Sequence, residues 1–260
     1  MSGDPFTGEF LLPGDPHYAA DLAQHLVPYR HCAGQVGGMR VAEIGCGAGY
    51  GAFHLSQAAR AVDAYDRNPR AVAWARAHFR SPNLAFRTEG IDPDPDPGAY
   101  GAACSFQVIE HLERPGPLLA RLGSLVAAGG TIYLTTPNRL TSAGENIYHI
   151  REYDPGELDG LLRLHYRSVE LRGITGGERF RAYQERRRAG MRRYLRWDPL
   201  RLRRLAPRGL LAALYPVLSR AVRHRAAAAE AVPADLGADD FRIDAARIEE
   251  CDDLFAICRP

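Results

Sequence analysis

Two groups of residues have the types and spacings to do chemistry. The first is Gly45-Cys46-Gly47-Ala48-Gly49, which follows the apolar run Val41-Ala42-Glu43-Ile44 and precedes an amphipathic run through Ala52, Phe53, Leu55, Ala58 and Ala59. That order predicts strand, tight loop and helix. Glycine tolerates positive φ, and with no Cβ it lets a ligand press against main-chain N–H groups. The second group is Gln107, Glu110 and His111, joined further on by His149. If the chain turns as a helix after Gln107, positions i, i+3 and i+4 share one face. Imidazole titrates near neutrality, so His111 or His149 can take a proton from an acceptor, with Glu110 beside them.

A set of short elements must position these groups. The run Ala61-Val-Asp-Ala-Tyr65 reads as a second strand ending at Asp66-Arg67. A carboxylate at that tip can accept hydrogen bonds from both ribose hydroxyls of an adenosine. Asn68-Pro69 then opens a helix, the asparagine capping it and the proline fitting its first turn. A third strand is predicted over Asn83–Arg87 and a fourth over Ala99–Gln107, which carries Phe106 and Gln107. A helix is expected from about Pro115 to Ala127, then a fifth strand over Thr131–Thr136 that Pro137-Asn138 breaks. Ahead of all these, Ala19, Leu22, Ala23, Leu26 and Val27 mark a helix from Pro16 to about Cys32, with Pro28 as its kink or end. Gly47-Ala-Gly-Tyr-Gly-Ala52 also satisfies the dinucleotide pattern G-x-G-x-x-A, but that register begins three residues past the end of the apolar run.

Acid, apolar residue and Gly-x-Gly-x-Gly, then Gln107-Val-Ile-Glu-His-Leu112, then Gly129-Gly130 opening a strand that ends in Thr136-Pro-Asn138, together resemble the class I S-adenosylmethionine (SAM) methyltransferases over residues 5–175. The resemblance implies an α/β fold: a Rossmann-like, doubly wound, seven-stranded sheet. It implies that Glu43 lies under the methionine end of SAM and that Gly45, Cys46, Gly47 and Gly49 line its methionine and ribose portions. Asp66 and Arg67 would meet the ribose, the backbone at Gly90 and Ile91 the adenine, and Phe106 and Gln107 the region of the transferred methyl. Thr7-Gly-Glu9, Gln24-His-Leu26 and Tyr29-Arg30 resemble methyltransferases of glycan and cell-envelope biosynthesis, whose N-terminal segment folds over the cofactor. The implied activity is O-methylation of a polar hydroxylated acceptor, a sugar or glycan. The overall likeness among glycan enzymes is to those that methylate the oligosaccharide tail of mycofactocin.

The same resemblance raises a metal question. In ubiquinone-pathway O-methyltransferases and small-RNA 2′-O-methyltransferases the matching motif is Glu-x-x-Glu-His, and a later His completes a magnesium site. Here Gln107 stands at the first position and His149 at the last. One carboxylate, two imidazoles and an amide make a weak set for Mg²⁺. No metal ligand is therefore assigned, magnesium is kept as an alternative, and His111, His149 and Glu110 are the catalytic candidates.

Composition narrows the classes. All 33 basic residues are arginine, which excludes chemistry needing a lysine ammonium, such as a phosphate-loop lysine or a Schiff base. Five scattered cysteines without a Cys-x-x-Cys suggest reduced thiols and a cytoplasmic setting. No membrane span and no signal peptide are expected. The organisation predicted is a cofactor-covering segment over 1–36, a SAM-binding core over 37–175, an arginine-rich helical insert over 176–238, and the last core strand within 239–260. Strand six, Arg167–Gly173, and the last strand, Asp252–Cys258, are expected to pair antiparallel. Between Arg179 and Arg208 lie twelve arginines, with Phe180, Tyr183, Tyr194 and Trp197 among them. That favours a solvated helical face, with RNA and a 2′-O-methyltransferase as the second functional class. The stripe Leu210, Leu211, Leu214, Tyr215 and Leu218 would pack on the core or on a second copy in a homodimer. A non-catalytic SAM-binding protein is the third class.

Overall fold

The computed structural model describes residues 11, 13–14, 19–88, 97–142, 146, 148–185 and 236–260. The expectations placed on Thr7-Gly8-Glu9, on Gly90 and Ile91, on the greater part of the arginine-rich insert and on the leucine stripe lie outside these residues.

The described residues hold an eight-stranded sheet in the order β3-β2-β1-β4-β5-β8-β6-β7. Its strands are β1 (Arg40–Ile44), β2 (Ala61–Asp66), β3 (Leu84–Thr88), β4 (Tyr100–Phe106), β5 (Val126–Pro137), β6 (Ser168–Gly176), β7 (Phe241–Asp244) and β8 (Asp253–Arg259). The first five run parallel, whereas β8 is antiparallel to both β5 and β6. The expected antiparallel pair is thus β6 with β8. The seven-strand expectation is corrected by β7, a four-residue strand that pairs antiparallel to β6 and covers its outer edge. An edge of unpaired N–H and C=O groups is a template for wrong pairing, and a short extra strand removes much of it. Phe-Arg-Ile-Asp is too short a run for alternation to stand out in sequence.

The helices are α1 (Ala19–Ala33), α2 (Tyr50–Ser56), α3 (Pro69–His78), α4 (Gly116–Leu125) and α5 (Pro155–Arg163). One core joins α1, α2 and α3 residues such as Ala23, Leu55 and Val72 to Val41, Val62 and Cys104 of the sheet. The other joins Leu118, Leu122, Leu158 and Leu162 of α4 and α5 to Ile44, Ile132 and Leu134. Burial on both faces is why β1, β2 and β4 read as nearly continuous apolar runs. The Asn68 side chain accepts from Arg70 N as expected, and Asp154 and Glu157 close a capping box on α5. Pro28 does not end α1, which continues to Ala33 with Pro28 buried in it. Proline removes one backbone hydrogen bond there, and the packing of its neighbours Val27, Tyr29 and Cys32 in the core compensates. Among the described residues no helix is long and apolar enough to cross a membrane.

Strand order reverses between β1 and β4. In open parallel sheets the crevice at such a point, outside the carboxyl ends of the strands, is where ligands bind. Asn138, fully buried one residue past β5, shapes the neighbouring rim. Its Nδ2 donates to the carbonyls of Ile248, Glu249 and Cys251, and its Oδ1 accepts from Leu140 N. It thereby fixes the segment that leads into β8. Asn138→Ala removes the donor shared by these three carbonyls, leaving Cys251 O only Thr141 Oγ1 and Ile248 O only Cys251 Sγ, and is expected to lower unfolding free energy by about 2 kcal/mol. A urea titration against the native chain measures this; an unchanged midpoint would show that the loop does not depend on the side chain.

Candidate active site

The glycine loop grows directly out of β1. Gly45 N and Cys46 N both donate to Tyr65 O of β2, which prolongs the parallel ladder into the loop. Gly45, Gly47 and Gly49 all have positive φ, at 83°, 51° and 82°. Two of them are also crowded by protein. A Cβ on Gly45 would lie 2.4 Å from Val108, and one on Gly49 would lie 2.6 Å from Ala75 and 2.7 Å from Phe86. The loop is therefore held tight by the turn after β4 and by the α3–β3 packing, beyond any need of a ligand. Asp66 anchors it as well, its Oδ2 accepting from Gly47 N and its Oδ1 from Asn68 N, each at 2.8 Å. Burial raises the Asp66 carboxyl above its usual range, and those two backbone bonds oppose the rise.

Glu43 is fully buried at the floor of this crevice. The Tyr29 hydroxyl donates to its Oε1, while Oε2 is buried with no hydrogen-bond partner. Burial drives the Glu43 carboxyl up to about 7, against the bond from Tyr29. Tyr29 comes from α1, and its ring lies edge-on to Phe106 at 4.7 Å and against Gly51. Tyr29 is thus the α1 residue that reaches the floor of the glycine loop. His25 Nδ1 lies 3.1 Å from the Tyr50 hydroxyl. Arg67 is exposed. Phe106 and Cys46 are buried in the core that α1 closes.

The second group does not form the single helical face expected. Gln107 adopts a left-handed conformation, φ 56°, and only Ile109–His111 turn, as one 3₁₀ turn. Gln107 therefore leaves the row, and its side-chain amide faces the carboxyl of Asp253. The other three do converge: Glu110, His111 and His149 each offer a ligand atom within 4.8 Å of the others. Glu110 is fully buried, its Oε2 accepting from Thr136 Oγ1 at 3.0 Å and its Oε1 lacking a partner. Burial raises it to about 7, with His149 and Thr136 opposing. His111 Nδ1 lies 3.0 Å from Tyr148 O, so Nδ1 carries the proton. Burial, then His149, pushes its imidazolium down to about 4, so His111 is neutral at physiological pH. His149 Nδ1 lies 2.6 Å from Glu152 Oε1, and its Nε2 lies 2.8 Å from Asn146 Nδ2. Burial would raise Glu152, yet its bonds from His149 and Ser142 hold it below the usual carboxylate range.

Sequence reasoning misses Glu152, Asn146 and Asp253. Glu152 has a signal, three residues after His149 in a short run rich in polar groups. Asp253 has a weaker one, an acid opening an apolar strand. The donor set does not fit Mg²⁺, since two of its three members are imidazole nitrogens and the amide at position 107 is committed to Asp253. A cationic nucleoside does fit the crevice: Glu43 has a buried oxygen lacking a partner, and Asp66 stands at the β2 tip.

A methyltransferase domain family model matches residues 15–174. The chain belongs to this family, the class I SAM-dependent methyltransferases. It is 35% identical over 164 residues to a "Probable S-adenosylmethionine-dependent methyltransferase" of Mycolicibacterium smegmatis, covering 61% of this chain and 63% of that one. It is 30% identical over 110 residues to a ubiquinone biosynthesis O-methyltransferase of Xanthomonas campestris pv. campestris, covering 41% and 46%. The chain therefore spans less than two thirds of the length of these curated relatives. In fold it is similar to the [4+2]-cyclase SpnF, with a TM-score of 0.56 at 15% identity, over 94% of this methyltransferase and 81% of that chain.

The buried acids give a pH signature. Glu110 ionises near 4.5 when unfolded and at about 7 when folded. Its stabilising contribution is full below the unfolded value and is lost as pH rises through the folded one. The ligand-free methyltransferase is therefore expected to lose stability between those values, by at most about 1.4 kcal/mol per pH unit for each such carboxyl. Glu110→Gln should flatten that slope in thermal unfolding; a slope identical to the native one would mean Glu110 ionises normally.

Proposed function

We propose that this methyltransferase transfers a methyl group from SAM to the hydroxyl oxygen of a polar acceptor, a sugar or glycan. One observation carries it. In the stretch between β5 and α5, converging with Glu110 and His111 of the turn after β4, stands a histidine whose Nδ1 bonds a half-buried carboxylate, His149 with Glu152. With Nδ1 bonded to Glu152, its Nε2 meets the Asn146 amide at 2.8 Å; an acceptor hydroxyl that takes the place of that amide meets Nε2 as a base, and the carboxylate steadies the ring when it gains a proton. A hydroxyl needs that help, because it must lose its proton as it attacks.

Bound SAM supplies an electrophilic methyl on a sulfonium, so no covalent nucleophile is required of the protein. Glu43, Gly45, Cys46, Gly47, Gly49 and Asp66 would hold it, with Arg67 and Phe106 at the margins; Gly90 and Ile91 are assigned to the adenine edge. His149 takes the acceptor proton. His111, neutral and desolvated, is suited to orient the acceptor by hydrogen bonding rather than to take its proton. Glu110, braced by Thr136, keeps a polar oxygen in the same pocket. No step needs a metal. The O-methylation reading is supported by the likeness to ubiquinone biosynthesis O-methyltransferases.

The test joins calorimetry with S-adenosylhomocysteine to transfer of labelled methyl from SAM onto neutral oligosaccharides and catechols. Asp66→Ala is expected to weaken binding at least about tenfold, through the lost hydroxyl acceptor and the loosened Gly47. His149→Ala and Glu152→Gln are expected to slow transfer by roughly a hundredfold with binding unchanged, the usual range for a general base. Label appearing only on nitrogen acceptors, or native turnover in His149→Ala, would overturn the assignment.

A further inference from the structure

Asp253 is placed where the site is built, yet nothing in the proposed chemistry uses it. It opens β8, and because β8 runs antiparallel to β5 it lies opposite Pro137, among the carboxyl ends of the parallel strands. It is buried, and burial, then the charge of neighbouring Asp252, raises its carboxyl to about 8. Glu110 is the other acid close enough to raise it. Two amides reach it from distant parts of the chain. Gln24 Nε2 of α1 donates to Oδ2 at 2.6 Å, and the Gln107 amide faces the same carboxyl closely enough to oppose the rise. A buried carboxyl held by two amides is a deliberate arrangement, because an unmatched one would be costly.

Gln107 is also held by its backbone. Its N–H donates to Thr135 O, and its φ of 56° is a conformation that a non-glycine residue keeps only when its surroundings impose it. The next residue, Val108, seats on Gly45, and Glu110 and His111 follow in the 3₁₀ turn. The Asp253 grip on Gln107 therefore sits at the root of the turn that carries the catalytic candidates. Its grip on Gln24 lies on the helix that carries Tyr29 to Glu43.

We propose that Asp253 is a positioning residue that clamps the turn after β4 and the covering helix α1 to one point, and that position 107 is an amide because this acid faces it. The clamp deepens the proposed function and rests on it for its purpose. A glutamate at 107 would set a carboxylate against Asp253 with Glu110 close by, and no cation among the described residues is placed between them.

The test uses the full chain with Gln107→Glu, Asp253→Asn and the two combined. Amide hydrogen exchange is followed on the ligand-free protein in peptides covering 19–33 and 106–112, and S-adenosylhomocysteine affinity is measured by calorimetry. Measured above pH 8, where Asp253 is ionised, Gln107→Glu is expected to speed exchange in both peptides and weaken affinity about tenfold, since two carboxylates then share one buried site. The double variant reverses the polarity of the pair: the amide introduced at position 253 donates to the carboxylate introduced at position 107 and still accepts from Gln24. Both measures should then return to within about threefold of native. Asp253→Asn alone should be mild, because Gln107 can turn its carbonyl to the new amide. Native exchange in Gln107→Glu overturns the clamp, as does a double variant no better than that single one, or acceleration spread evenly over the whole chain. The exchange arm involves no ligand. It decides the clamp even if the native chain binds no S-adenosylhomocysteine, a result that would count instead against the proposed function.

Discussion

The site depends on the close approach of two loops where the order of the sheet reverses. β2 and β4 leave β1 on opposite sides, so the loop after β1 and the turn after β4 meet over the same gap. They meet at Gly45 and Val108, so closely that even one added carbon would collide with the valine. This contact ties the glycine loop to the turn that carries Glu110 and His111. A pocket assembled that way needs little rearrangement to receive a ligand, and alignment is the main demand that methyl transfer places on a protein. The glycines thus serve two ends: they let the backbone turn left-handed, and they let protein pack against protein.

Three carboxyls, Glu43, Glu110 and Asp253, are buried around that gap, and burial raises all of them. None has a guanidinium bonded to it among the described residues; their partners are a phenol, a threonine hydroxyl and two amides. Neutral donors steady a carboxyl without cancelling its charge. Burial favours their neutral forms, and a cation bound in the crevice would favour the ionised ones. The same arrangement costs stability, as buried polar groups short of partners do.

Fold alone would not separate this chain from proteins with other chemistry. A [4+2]-cyclase shares the fold at 15% identity. What distinguishes a methyl-transfer site is local: an acid under the glycine loop, an acid at the tip of β2, and a base at the end of β4. His149 with Glu152 is the proposed base, brought to the turn after β4 from the stretch that follows β5, and Tyr29 of α1 reaches the acid under the glycine loop.

The amino-acid order by itself determined the elements and most of their ends. Apolar runs closed by glycine, Asn68-Pro69 and Asp154-Pro155 are local signals, and they act through backbone geometry that neighbours in sequence control. It also determined which residues cluster at the carboxyl ends, because that follows from alternating strands and helices. Tertiary structure alone decided the partners. Helical spacing puts Gln107 beside Glu110, but its left-handed backbone turns it to Asp253, far away along the chain. Gln24 reaches the same acid from the opposite end, 229 positions earlier. The strand β7 and the persistence of α1 through Pro28 were likewise settled by packing, since an open strand edge and a buried helix face have energies that no short window of sequence contains.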